Sequence, residues 1–280
     1  MLNTVEPVGT PEAVTAAAPI LEVVEATKSF DGVYAVNGCS FSVRPGTITG
    51  LIGPNGAGKT TVFNLITGFL PLTSGQVLFE GTGITGLAPH SVVRRGIVRT
   101  FQIPREFKSM TVLENLMLVP HGQIGERPWG TWFFSKRVAQ DEDRIYQKAV
   151  EVMRIVQLER LRDEFASNLS GGQKKLLELA RTLMADPKMI LLDEPGAGVN
   201  PTLAKQLMKN VESLRADRGI TFLVIEHDMD LVTQHCDPVI VMSEGRRLME
   251  GTVEEVKSDE RVLEAYLGGQ AVGRQTGTRN

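Results

Sequence analysis

Short, unbroken apolar runs recur along the chain, separated by longer stretches with helical spacing. Met189–Leu192 and Thr221–Ile225 are compact and apolar throughout, as expected of strands covered on both faces of a parallel sheet, where no polar side needs to alternate with an apolar one. Ile48–Ile52 is a third such run; it stops at a glycine-rich loop, and Thr60–Phe69 beyond it has helical character. From Leu21 to Gly50, β-leaning pieces alternate with the turn pairs Asp31-Gly32, Asn37-Gly38 and Pro45-Gly46, which predicts small antiparallel strands. Between Ile103 and Asn168 the spacing turns helical, and in Asp141–Leu161 the residues Ile145, Ala149, Val152, Ile155 and Val156 share one face. After Pro238, Val239–Met242, the turn Ser243-Glu244-Gly245 and Arg246–Met249 read as a hairpin, followed by a helix closing near Leu267. The fold class predicted is α/β: a parallel-sheet core with an N-terminal antiparallel β-subdomain and a helical subdomain inserted over about residues 103–185. Residues 20–267 form the expected domain, between a loose arm at 1–19 and a tail at 268–280 rich in Gly, Arg and polar residues.

Composition narrows the classes little. The 280 residues are 42% hydrophobic, enough for a substantial core, and 30 basic against 33 acidic residues give a net charge of −3, which speaks against a general nucleic-acid binder. Cys39 and Cys236 form no CxxC or Cys/His pattern, so neither a disulfide framework nor a zinc site is expected and a reducing compartment fits. No apolar run approaches the roughly 18 to 20 residues of a spanning helix. The first residues carry Glu6 and Glu12 without a basic start and are expected not to act as an export signal.

The chemistry begins at Gly53. The residues Gly53, Pro54, Asn55, Gly56, Ala57, Gly58, Lys59 and Thr60, followed by Thr61, satisfy the phosphate-loop pattern GxxxxGK[ST] between a predicted strand and a predicted helix. In such a loop the backbone amides face phosphate oxygens at a helix N-terminus, the lysine reaches the β- and γ-phosphates, and the hydroxyl of Thr60 is offered to Mg²⁺. ATP and Mg²⁺ are the cofactors this predicts, but the loop alone does not separate kinases, GTPases and transport ATPases.

Leu169–Gln173 reads LSGGQ. Ser170 with Gln173 three residues on is a capping-box pattern, and Leu176, Leu177, Leu179, Ala180 and Leu183 continue as an apolar helix that stops at Asp186-Pro187. A simple helix cap would explain the serine and glutamine equally well. With the phosphate loop ahead of it, the chain resembles the ABC ATPase family, whose signature this pentapeptide is. That resemblance implies ATP contacts from Ser170, Gly171, Gly172 and Gln173. It likens Met189–Pro195, MILLDEP, to the family's Walker B strand, with Asp193 near Mg²⁺ and Glu194 as the general base that polarises the attacking water. Gln102 after Phe101 matches the family's Q-loop, sensing γ-phosphate and metal. His227, after the run Thr221–Glu226, stands where the family keeps its switch histidine, whereas His90, His121 and His235 lack such context. Phe30 occupies the place of an adenine-stacking aromatic, with core packing as the alternative. Asn200 in Gly196–Pro201, GAGVNP, replaces the usual aspartate, so a charge-dependent contact there does not carry over.

In this family the signature of one protomer completes the ATP site of the other, so the resemblance implies a second ATPase subunit, identical or homologous. It covers about residues 20–267, and LIGPNGAGKTTVFNLITGF, RGIVRTFQIPREFKSMTVLENL, EPGAGVNP, IEHDMDLV and LEAYLG are together most similar to ATPases of branched-chain amino acid importers. The implied partners are membrane permease subunits and, indirectly, an extracytoplasmic substrate-binding protein, with the chain peripheral on the cytoplasmic face of the cell membrane. Trp129 and Trp132 suit permease contact or local packing alike. Related importers of urea, amides or aromatic acids are alternatives for the cargo. A soluble ABC ATPase would more often carry two cassettes or a long coiled coil, and neither is present.

Overall fold

Residues 18–100, 106–120 and 135–275 are described by the computed structural model. Gln102, Trp129, Trp132 and almost all of the expected N-terminal arm lie outside these residues.

The apolar runs become adjacent strands. β3 (Ile48–Ile52), β7 (Met189–Asp193), β8 (Thr221–Ile225) and β9 (Val239–Ser243) join β6 (Ile97–Arg99) and β10 (Arg246–Gly251) in a sheet of order β10-β9-β3-β8-β7-β6. All its pairings are parallel except β9 with β10. Side chains still alternate, but into two different cores. Ile190, Leu192, Phe222, Val224, Val239 and Val241 pack on one face, and Met189, Leu191, Leu223, Ile225, Ile240 and Met242 on the other, so the strand interiors are apolar on both faces apart from the buried threonines Thr49 and Thr221, whose hydroxyls are hydrogen-bonded.

One face is covered by helices. α3 (Val112–Met117), α4 (Ser135–Ile155) and α5 (Gly171–Met184) pack on one another, and α6 (Pro201–Arg218) and α7 (Met229–His235) continue the layer. The other face receives α1 (Lys59–Ile66), α2 (Pro89–Arg95) and a second, antiparallel sheet of order β2-β1-β4-β5. That sheet comprises β1 (Leu21–Phe30), β2 (Val33–Val43), β4 (Ser74–Phe79) and β5 (Thr82–Gly83). Two C-terminal helices, the short α8 (Val253–Ser258) and the longer α9 (Glu260–Gln275), follow the β9–β10 hairpin.

Several boundaries depart from the sequence pattern. Asn37-Gly38 is no turn: it lies inside β2, where Gly38 takes φ +66° at a register shift against β1, so the turn-prone pair forms a bulge. Asp31-Gly32 and Glu244-Gly245 do close hairpins, both residues of each pair having positive φ, as two-residue loops matched to strand twist require. α4 begins before Asp141 and ends at Ile155 rather than Leu161, because Gln157 adopts φ +61° and breaks the helical path; Ile145, Ala149, Val152 and Val156 are nonetheless buried, with Ile155 packed at the margin of that core. α9 runs through Gln275, past Leu267: Gly268 and Gly269 weaken a helix, but no proline stops it, and Gln270, Ala271, Arg274 and Gln275 tolerate it. Among the described residues no helix is long and apolar enough to cross a membrane.

Both cysteines are buried and unpaired. Burial pushes the Cys39 thiol up to about 11, opposed by Arg247, and the Cys236 thiol up to about 12, with Glu226 adding to the rise. Both are neutral thiols at any pH below those values. Ellman's reagent at pH 8 is therefore expected to label neither in the folded chain and both after denaturation, read as released thionitrobenzoate; prompt labelling of the native chain would contradict this packing.

Candidate active site

β3, β8 and β7 are neighbours, and their carboxyl ends lie level, with Leu51 opposite Ile225 and Ile225 opposite Asp193. In an open parallel sheet this is the edge where ligands sit. The loop Gly53–Gly58 leaves β3 here, Asp193 and Glu194 end β7, and Glu226 and His227 follow β8. A polar cavity of about 720 Å³ at the opposite end of β3, bordered by Glu212 and His235, contains none of the predicted site residues.

The loop turns into α1 through Gly58, at φ +97°, where a Cβ would stand 2.5 Å from the Ala35 carbonyl oxygen of β2. Only glycine fits that approach. The Lys59 ammonium folds back over the loop, donating to the carbonyl oxygens of Gly53 at 2.7 Å and Pro54 at 3.0 Å. Burial pulls its pKa below the ordinary lysine range, while the nearby Glu194 and Asp193 carboxylates push it back up. Asn55, Gly56 and Thr60 are exposed and Thr61 half-buried, so the cradle is open to solvent. Tyr266 of α9 reaches the same loop: burial raises its phenol, opposed by a hydrogen bond from the Gly53 N–H.

Asp193 is buried, and its Oδ2 accepts from Arg99 Nη2 at 2.6 Å. Glu194 leaves the strand at φ +49° and is held at three points: its N–H donates to the Ile225 carbonyl, its carbonyl accepts from Lys175 Nζ at 2.9 Å, and its Oε1 lies 2.9 Å from His227 Nε2. A carboxylate only accepts, so His227 donates through Nε2. The buried Glu226 carboxylate accepts from the Gly196 N–H at 2.7 Å and the His227 N–H at 3.1 Å, joining the turns after β7 and β8.

Ser170 caps α5 as expected. Its hydroxyl accepts from the Gln173 N–H, and the Gln173 side chain accepts from the Ser170 N–H, closing a capping box. The Gln173 amide oxygen is thus committed to its own helix. Gly172 is buried against α6, where a Cβ would overlap Leu203 at 1.6 Å, while Ser170 and Gly171 are exposed. Among the described residues no hydrogen bond joins this helix tip to the Gly53–Thr61 loop of the same chain. Asn200 caps α6, its Oδ1 accepting from the Leu203 N–H at 2.9 Å. The amide replaces an aspartate's capping role without its charge.

Phe30 ends β1 at 46% exposure, which removes core packing as its explanation, and Lys28 Nζ sits 5.0 Å above its ring. Its hairpin approaches the phosphate loop through Ala35. The groups that sequence reasoning missed are Arg99, Lys175, Glu226 and Tyr266. Arg99, Glu226 and Tyr266 lie within the phrases that carry the family resemblance, but none of the four has a spacing that marks it locally, and only tertiary packing brings it to the site. Beside α5, an apolar groove of about 500 Å³ is lined by Val93, Val98, Leu118, Val119 and the exposed Phe107, whose ring lies 5.2 Å below the Arg181 guanidinium.

The family profile described as "ABC transporter" matches residues 36–197, more than half of the chain, and one described as "Branched-chain amino acid ATP-binding cassette transporter" matches residues 246–272. "Probable branched-chain amino acid transport ATP-binding protein LivG" of Archaeoglobus fulgidus is 44% identical over 90% of this chain and 96% of its own length. "High-affinity branched-chain amino acid transport ATP-binding protein BraF" of Pseudomonas aeruginosa is 40% identical, covering 89% and 98%. Among solved structures, a nucleotide-free ATP-binding cassette from an ABC transporter superposes with a TM-score of 0.77 at 42% identity, covering 89% of this chain and 98% of that one. An ATP-binding cassette in its ADP conformation gives the same score and identity, covering 90% and 100%.

The close approach of α5 to α6 is testable. Gly172→Ala is expected to cost about 1–3 kcal/mol through overpacking against Leu203, measured by urea denaturation, and Leu203→Ala in the same chain should restore most of the loss. A neutral Gly172→Ala would place the two helices further apart than described.

Proposed function

We propose that this chain, which belongs to the ABC transporter family and is an ATP-binding, ATP-hydrolysing subunit of it, works as one of a pair that drives branched-chain amino acids through a membrane permease. One observation carries the chemical reading: Lys59, Asp193, Glu194 and His227 stand together at the carboxyl ends of three adjacent strands. The cargo is read from the named relatives and from the profile matching residues 246–272.

The triphosphate replaces the carbonyls of Gly53 and Pro54 as the partner of Lys59, and the amides of the loop from Gly53 to Thr61 receive the remaining phosphate oxygens. The exposed Phe30 ring stacks on the adenine, with Lys28 beside it. Thr60 and Asp193 supply oxygen donors suited to Mg²⁺, and among the described residues no three His, Cys, Asp or Glu groups converge into a closed cage. That fits an ion held by few protein oxygens together with water and phosphate. When bound, Mg²⁺ neutralises charge on the phosphate oxygens. Gln102 completes this set on the segment leading from β6.

Glu194 takes the proton of the attacking water as it adds to the γ-phosphorus, and ADP leaves with phosphate. The His227 hydrogen bond aims the carboxylate and holds the imidazole at the γ-phosphate. The tip of α5, with Ser170 and Gly171 exposed and Gly172 packed behind them, closes the site of a second ATPase subunit rather than its own. Opening and closing of this pair is the mechanical step. The groove lined by Phe107 and Leu118 takes an apolar segment of the permease, and the chain works peripherally on the cytoplasmic face of the inner membrane. An extracytoplasmic binding protein delivers the amino acid to that permease.

Glu194→Gln is expected to keep ATP affinity while turnover falls about 10²–10⁴-fold and ATP-bound dimers persist in sedimentation. Normal turnover removes Glu194 as the base. Lys59→Ala should weaken nucleotide binding itself by about tenfold or more in titration calorimetry, since a charge-assisted contact to phosphate is lost. Unchanged affinity contradicts the phosphate-loop assignment.

A further inference from the structure

Arg99 is a buried cation without a part in the chemistry above. It is the last residue of β6, and its side chain is 7% exposed. One guanidinium nitrogen, Nη2, donates to Asp193 Oδ2 at 2.6 Å; the other, Nη1, donates to Asn64 Oδ1 at 2.6 Å. The guanidinium carbon lies 5.5 Å from the centre of the Phe63 ring. Phe63 and Asn64 both belong to α1, the helix that opens with Lys59 and Thr60. Arg99 thus fastens the carboxylate at the end of β7 to the helix that carries the phosphate loop.

A carboxylate with 4% exposure is expensive to keep charged without a counter-ion. Arginine keeps its charge at every relevant pH and presents two parallel donors, so it neutralises Asp193 and reads Asn64 at the same time. A divalent cation seeking the same carboxylate competes with a contact already made. We infer that Arg99 is a placeholder cation: it holds Asp193 before metal and nucleotide arrive, and it gives up part of that contact to Mg²⁺ when they do. Arg99 is a positioning residue, and its presence sets how much Mg²⁺ strengthens nucleotide binding. This rests on the proposed reading of Asp193 as the metal's carboxylate.

The test measures the dissociation constant of ATP in EDTA and in excess Mg²⁺ on the full chain carrying Glu194→Gln, and takes their ratio. Arg99→Gln is expected to raise that ratio about tenfold, the scale of one charge-assisted hydrogen bond no longer surrendered. The melting temperature of the nucleotide-free chain should fall, because Asp193 is left buried without its partner. A purely structural arginine would lower stability and leave the ratio where it was; an unchanged or lower ratio overturns the inference. Asp193→Asn should collapse the ratio towards one, and in that background Arg99→Gln should no longer alter it. If Asp193→Asn leaves the ratio intact, the metal reading of Asp193 fails; if it collapses the ratio while Arg99→Gln does nothing, only the role of Arg99 fails. Should Arg99→Gln not fold, Arg99→Lys keeps the charge but cannot span both acceptors. A smaller rise is then expected, and no rise overturns the inference.

Discussion

Burial of both faces of the parallel sheet is the constraint on which the rest depends. β3, β8 and β7 have no room for a charged group on either face, since Leu191, Leu223 and Ile225 meet the antiparallel sheet and α1 while Ile190, Phe222 and Val224 meet the helical layer; only the hydrogen-bonded hydroxyls of Thr49 and Thr221 are buried there. Polar chemistry is forced to the strand ends. Parallel pairing in level register puts three such ends side by side, so residues from three distant parts of the chain share one edge.

Placing charge at that edge has a cost, and the fold offsets it locally. Asp193 is matched by Arg99, Glu226 by the Gly196 and His227 amides, and Lys59 by two carbonyls of its own loop. Buried charges survive only when paired in this way. The same contacts supply order. Glu194, in a left-handed backbone conformation that a glutamate adopts at some cost, is fixed by Ile225, Lys175 and His227 at once. Lys175 belongs to α5, so the helix that presents Ser170 and Gly171 outward also holds the backbone of Glu194.

Gly172 and Asn200 illustrate how closely the layers are keyed. The first admits the Leu203 side chain into the space a Cβ would fill, and the second caps the helix that carries Leu203. The signature tip, the turn after β7 and the start of α6 therefore form one packed unit. Exposure of Ser170 and Gly171 beside such a rigid support suits a surface that meets a partner's nucleotide.

Local grammar was legible in the chain: the both-faces-buried runs, the phosphate loop between strand and helix, the capping box at Ser170 and the Asp31-Gly32 and Glu244-Gly245 turns. These are decided by neighbours a few residues apart, through backbone conformation and short-range hydrogen bonds. Asn37-Gly38 misled because a strand bulge and a turn ask for the same residues, and only pairing with β1 chooses between them. The exposure of Phe30, the extension of α9, the three-residue strand β6 and the partnership of Arg99 with Asp193 came from tertiary structure alone. Arg99 and Asp193 are 94 positions apart, and no local pattern marks either as the other's partner. Sequence determined which segments could make strands, helices and a phosphate cradle, because those are short-range steric and hydrogen-bonding choices. Which buried charges face one another was settled only when the sheet assembled its strands in an order the chain does not spell out.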